Sequence, residues 1–128
     1  MIHHTGIIIN NIEKNIDIYK RLGYTQISEI IIDEIQHVKI VFLESENKIQ
    51  IIELIESLGD ISSINNFKTG YHHICYDVSD IPDFINNFKT LKIGKIFTKP
   101  MVAPAINNRQ VVFACLNNGT FLEFILSR

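Results

Sequence analysis

Two histidine doublets carry the chemistry that is easiest to read in this chain, one in "MIHHTGIII" and one in "GYHHICYDV". His4 and His73 stand 69 residues apart (73 − 4), and each enters a short apolar run followed by a polar turn and a helical pattern. Two further polar side chains sit among apolar ones at a similar spacing. They are Gln50 in "KIQIIEL" and Glu123 in "TFLEFIL", 73 residues apart (123 − 50). Two imidazoles, an amide oxygen and a carboxylate form an N/O donor set suited to Zn, Ni, Co, Mn or Fe(II), and the lack of thiolate donors argues against a closed structural zinc site. With one carboxylate among four donors, one divalent ion would keep about one unit of positive charge. Other meanings compete with this one. The first doublet resembles a tag remnant, but its internal recurrence in matched surroundings speaks against that. Glu123 also has the makings of a buried ion partner, because a carboxylate inside an apolar strand needs compensation.

The elements that must position these groups follow from periodicity. Side chains alternate along a strand, so His4 and Gly6 face one way and Thr5, Ile7 and Ile9 the other, while His73, Cys75 and Asp77 oppose Ile74, Tyr76 and Val78. His3 and His72 fall on the opposite side from the candidate ligands and read as structural. His37, in "DEIQH", reads as a solvated turn residue. Asn11 is placed to cap a helix with Ile12, Ile16, Tyr19 and Leu22 on one face, ended by Gly23. Strands are expected at "YTQISEIII", "VKIVFLE" and "KIQIIEL", and "ESLGDISSINNFKTG" reads as a connection with at most one helical turn. The order then repeats. A strand at "YHHICYDV" precedes a cap at Ser79 or Asp80, Pro82 in the first turn, and a helix presenting Ile81, Phe84, Ile85, Phe88 and Leu91. Strands follow at "GKIFTK", "RQVVFACL" and "TFLEFIL", the last two joined by "NNGT".

The expected fold class is therefore α+β, a single domain over residues 1–128. Module one covers residues 1–56, a connection residues 57–69, and module two residues 70–128. Each module has the order βαβββ. One sheet with one helix leaves its other face uncovered, so the two modules are expected to pair by pseudo-twofold symmetry. Facing sheets would bring His4, Gln50, His73 and Glu123 together.

A net charge of −2 without a basic block excludes a general nucleic-acid binder. No apolar run approaches the ~20 residues of a membrane helix, and no basic-then-apolar leader opens the sequence, so the expectation is a cytoplasmic protein with no membrane partner. Cys75 and Cys115 lie in apolar runs without metal-site spacing and read as buried free thiols.

The segments "HHTGIIINNIEKNIDIYKRLGY", "KIQIIEL", "GYHHICYDVSDI" and "NRQVVFACLNNGTFLEFI" together resemble the vicinal oxygen chelate superfamily over nearly the whole chain. The likeness is to its methylmalonyl-CoA epimerase and lactoylglutathione lyase (glyoxalase I) branch. The resemblance implies paired βαβββ modules in a half-open mixed β-barrel, with metal ligands on the first and last strands of each module, carried here by His4, Gln50, His73 and Glu123. It implies a divalent-metal-dependent lyase or isomerase that removes a proton beside the carbonyl of a thioester or hemithioacetal through a metal-bound enediolate or enolate. Two departures stand out. Glyoxalase I enzymes usually have glutamate where Gln50 is aligned, and the third-strand glutamate that is a candidate base in bacterial epimerases is aligned with Ile40. The proton step that the resemblance implies falls to Glu123 as leading acceptor, since Gln50 cannot act as a base, and His37 and Glu44 are then the remaining guesses for a second base. Arg109 is a candidate contact for an acidic substrate group or CoA phosphate, or an ordinary surface arginine. The superfamily further implies a homodimer. It also leaves open a non-catalytic reading, a drug-binding module of the bleomycin-resistance kind with an isoleucine-rich cleft.

Overall fold

The computed structural model describes all 128 residues, in ten strands, two α-helices and one 3-10 turn. The chain divides into two compact units: a first module, His4–His72, and a second module of His73–Arg128 together with Met1–His3. The division falls inside strands β1 (Ile2–Ile8) and β6 (Gly70–Val78) rather than in the connection between the two repeats.

In the first module, β1 leads to α1 (Ile12–Arg21). Asn11 caps this helix, its amide Oδ1 accepting the Lys14 N–H at 2.9 Å, and the Glu56 carboxylate accepts the Ile12 N–H at 2.7 Å. Both satisfy donors that the first helical turn leaves without an internal partner. Gly23, at φ +100°, ends the segment in a conformation that glycine adopts without steric cost. The chain continues through β2 (Thr25–Gln26), β3 (Ile31–Asp33), β4 (Val38–Glu44) and β5 (Ile51–Ser57). β4 pairs antiparallel with β2, β3 and β5, and β5 pairs parallel with β1 in the register Gly6↔Glu53. One sheet face packs Ile9, Val41, Leu43, Ile52 and Leu54 against Ile12 and Ile16 of α1. The period-2 alternation then turns His4, Phe42 and Glu53 to the other face.

The second module repeats this arrangement. β6 is followed by α2 (Ile81–Leu91), whose N-cap is Asp80 with Pro82 in the first turn. Then come β7 (Gly94–Ile96), β8 (Met101–Ala103), β9 (Arg109–Leu116) and β10 (Phe121–Leu126). β9 pairs antiparallel with β7, β8 and β10, while β10 pairs parallel with β6. The helix-facing core gathers Ile81, Phe88, Val112, Ala114 and Phe124. The turn Asn117–Thr120 joins β9 to β10 as expected, with Gly119 at φ +87°.

Several expectations are corrected. The strand expected at "YTQISEIII" is two short strands, because the chain leaves the ladder between Gln26 and Ile31 and the Ser28 hydroxyl takes the Phe42 N–H at 2.9 Å. The second module does the same. Thr98 Oγ1 takes the Phe113 N–H at 2.9 Å, and β8, flanked by Pro100 and Pro104, is a strand the sequence pattern did not show. Leu22 and Leu91 were expected on the packed helix faces and are exposed, since both lie where their helices end. The connection has no helical turn. Residues 58–67 form successive tight turns, held by the Leu58 N–H to the His37 carbonyl and the Ser63 N–H to the Gln36 carbonyl.

Candidate metal centre

In the first module, His4 and Glu53 meet on the face away from α1. His4 is 1% exposed and Glu53 5%, and Nε2 lies 3.4 Å from Oε1. The Phe42 ring stands edge-on against the imidazole at a centroid distance of 5.2 Å. Phe42 is held from both sides of its peptide, its N–H by Ser28 and its carbonyl by the Ile27 N–H. Glu53 lies beside Gly6 on β1 and opposite Phe42 on β4.

Gln50 does not join this pair. It precedes β5, is exposed, and its Oε1 accepts the Tyr24 hydroxyl at 2.7 Å. Three residues along a strand is an odd shift, so a side chain three places from Glu53 would face the helix side even if the strand extended that far. Glu53, rather than Gln50, is the side chain that stands beside His4 in this module. A signal for it was present: His4 to His73 spans 69 residues (73 − 4), and stepping back 70 from Glu123 lands on Glu53 (123 − 53) rather than on Gln50.

The second module has the corresponding pair. His73 and Glu123 are 2% and 3% exposed, with Nε2 and Oε1 3.1 Å apart. The Phe113 ring stands edge-on to the imidazole at 5.7 Å, and Phe113 is held by Thr98 and by the Phe97 N–H. Glu123 lies beside Cys75 on β6 and opposite Phe113 on β9.

Each pair has the spacing of two donors to one ion. Ligand atoms about 2.0–2.2 Å from a metal, separated by tetrahedral to right angles, stand about 3.0–3.5 Å apart. Burying a carboxylate is costly unless a positive charge compensates it, and a divalent cation does so directly. A protonated histidine beside the carboxylate would compensate it too, so the charge state of the pair decides between the two meanings.

The other candidates fall elsewhere. Arg109 opens β9, but its Nε donates to the Leu126 carbonyl at 2.8 Å and its Nη2 to Asp77 Oδ1 at 3.1 Å, so both nitrogens are used within the module. His37 occupies the tight turn before β4 at φ +55°. Glu44 ends β4 opposite Thr25 and Ile51. Ile40 is buried on β4, opposite Ile31 and Ile55, and brings no base to that strand. Cys75 is a buried free thiol, as expected, and Cys115 a half-buried one.

A sequence model of the Glyoxalase/Bleomycin resistance protein/Dioxygenase superfamily matches residues 3–113. The mitochondrial methylmalonyl-CoA epimerase of Dictyostelium discoideum is 30% identical, the match covering 88% of this chain and 68% of that protein. Among solved structures, a hypothetical protein from Bacillus halodurans C-125 superposes with a TM-score of 0.83 at 28% identity, over 100% of this chain and 94% of that one. The methylmalonyl-CoA epimerase of Mycobacterium tuberculosis gives 0.84 at 17% identity, over 99% and 87%.

Proposed function

The chain belongs to the Glyoxalase/Bleomycin resistance protein/Dioxygenase superfamily and has its α+β fold, and from that premise we propose that it is a metal-dependent epimerase acting beside the carbonyl of a thioester. His4, Glu53, His73 and Glu123 are the ligands of one divalent ion in this reading. The observation that carries it is the recurrence, in each module, of a buried histidine with a buried glutamate at ligand spacing. The ion, when bound, acts as a Lewis acid toward a carbonyl oxygen.

The chain's own contribution is proton handling. Replacing Gln50 by Glu53 raises the carboxylates in the set from one to two, so their charge offsets that of a divalent ion rather than leaving one positive unit. A proton taken up by either carboxylate then restores one unit of positive charge as the substrate oxygen becomes negative, which keeps the site's total charge constant through the transfer. Epimerisation requires one group to remove the α-proton and another to return it on the opposite face. Glu123 and Glu53 are suited to these two roles, and neither His37 nor Glu44 is needed. The apolar and aromatic surroundings of both pairs, Phe42 in one and Phe113 in the other, limit water competition for the proton.

The presence of glutamate at position 53 also favours a second reading, isomerisation of a hemithioacetal by a lactoylglutathione lyase-like reaction, since the departure attributed to Gln50 disappears. Both readings share the α-proton step. The test is exchange of that proton in deuterated water with methylmalonyl-CoA and with the glutathione hemithioacetal of methylglyoxal, using protein of measured metal content. Glu123→Gln keeps an oxygen donor, though a weaker one, and removes the base, so exchange is expected to fall by ~10²-fold or more when the variant is assayed at saturating metal. Exchange that persists unchanged in the variant overturns the assignment of Glu123, and absence of exchange with both substrates favours a binding protein.

A further inference from the structure

The two modules differ in what lies outward from the histidine and glutamate. In the second module, Phe121 lies beside His73 on the β6–β10 ladder and opposite Cys115 on β9. Phe113, opposite Glu123, touches the His73 ring. Phe97 follows β7, donates its N–H to the Phe113 carbonyl, and meets both rings, at 6.4 Å from Phe113 and 5.9 Å edge-on from Phe121. Phe113 is buried at 8% exposure, whereas Phe97 is 55% exposed. Three aromatic rings thus lead from the buried pair to solvent. The first module has Ile27, Phe42 and Ile51 at the corresponding stations, and Ile27 likewise donates its N–H to the Phe42 carbonyl.

Resting on the proton-transfer reading above, we propose that Phe97, Phe113 and Phe121 form a specificity platform selecting substrates whose α-carbon carries an arylalkyl substituent. The distance decides the size. Glu123 and Phe97 are two strand spacings apart, about 10 Å across the sheet. A methyl substituent extends a single carbon bond, about 1.5 Å, and leaves Phe97 uncovered. A benzyl group reaches the Phe121 and Phe97 rings and adds an edge-to-face or offset aromatic contact. The first module offers only β-branched aliphatic side chains outward of Phe42, so an aromatic platform of this kind belongs to the second module alone.

The test is equilibrium binding, by calorimetry on the metal-loaded protein, of the N-acetylcysteamine thioesters of 3-phenylpropionate and propionate, which differ by benzyl against methyl on the α-carbon. Wild type is expected to bind the phenyl ester about five- to tenfold more tightly. Phe97→Ala removes that ratio, Phe97→Tyr retains it, and Ile27→Ala at the corresponding first-module position leaves it unchanged. The same Phe97→Ala change should raise KM for the phenyl ester with kcat for α-proton exchange held. Equal affinity for the two esters in wild type, or a preference that survives Phe97→Ala, overturns the platform. A fall in solution mass on Phe97→Ala with the binding ratio intact also overturns it, marking Phe97 as a contact between copies. A normal ratio in wild type without exchange on either ester supports the platform while removing the epimerase reading, so the two failures are distinguishable.

Discussion

Replacing Glu53 with glutamine separates a ligand from a structural ion pair, because the two meanings predict opposite signs. If His4 and Glu53 are only a buried salt bridge, the substitution leaves a buried imidazolium without its counter-charge and costs about 3–5 kcal/mol. At roughly 3–5 °C per kcal/mol for a domain of this size, Tm falls by about 10–20 °C, with or without metal. If Glu53 instead serves a cation, the metal-free protein keeps a buried carboxylate without the ion its charge is matched to, and glutamine lessens that cost. Tm in excess chelator is then unchanged or raised. The metal-bound state moves the other way. A four-ligand site worth about 10–16 kcal/mol allots about 2.5–4 kcal/mol to each ligand, and an amide oxygen recovers only part of it, so affinity should drop by ~10²-fold. Scanning calorimetry in chelator and in saturating zinc, nickel or cobalt reads the first quantity, and competition with a chromophoric chelator reads the second. A variant whose Tm falls by more than about 10 °C in chelator, with unaltered metal affinity, refutes the ligand assignment.

Gln50→Ala should leave metal stoichiometry unchanged and cost at most about 1 kcal/mol, because the Gln50 side chain contributes an exposed hydrogen bond from the Tyr24 hydroxyl; elemental analysis and a urea melt check both. Arg109→Met removes the bonds to Leu126 and Asp77 and should lower stability by about 1–3 kcal/mol while leaving KM for any thioester unchanged, whereas a large rise in KM would return Arg109 to the substrate site. Gly94→Ala should abolish soluble expression or lower Tm sharply, since a Cβ there would press on the Cys115 carbonyl and come within 2.8 Å of the Leu116 Cα, neither of which is a movable side-chain tip.

The repeat, the cap at Asn11, the choice of Ser79 or Asp80 for the second cap, and the positions of His4, His73 and Glu123 were legible because each rests on a short-range rule: alternation along a strand, a capping side chain, or a spacing that recurs. Glu53 was not. In "KIQIIELIE" polar residues occur every third place, at 50, 53 and 56, and local pattern ranks none of them above the others. Register decides. The parallel ladder to β1 sets Glu53 beside Gly6, while Glu56 on the opposite face caps α1 and Gln50 lies before the strand begins. That ladder joins residues more than forty positions apart in sequence, so a local pattern carries no record of it. The breaks between β2 and β3 and between β7 and β8 were hidden for a related reason: "YTQISEIII" has strong strand propensity throughout, and only the hydroxyl of Ser28 meeting the distant Phe42 peptide shows why the ladder is interrupted.

Those breaks bear on how an isoleucine-rich chain stays dispersed. β2 and β3 make up the margin of the first module's sheet and β7 and β8 that of the second, and none is longer than three residues. A stray chain seeking a template for fibril-like growth needs a long flat run of unsatisfied N–H and C=O groups. Here it meets at most three consecutive residues before Ser28 or Thr98 turns the backbone inward to serve the strand behind it. The same hydroxyls that steady Phe42 and Phe113 beneath the histidines therefore also shorten the surface on which amyloid would nucleate.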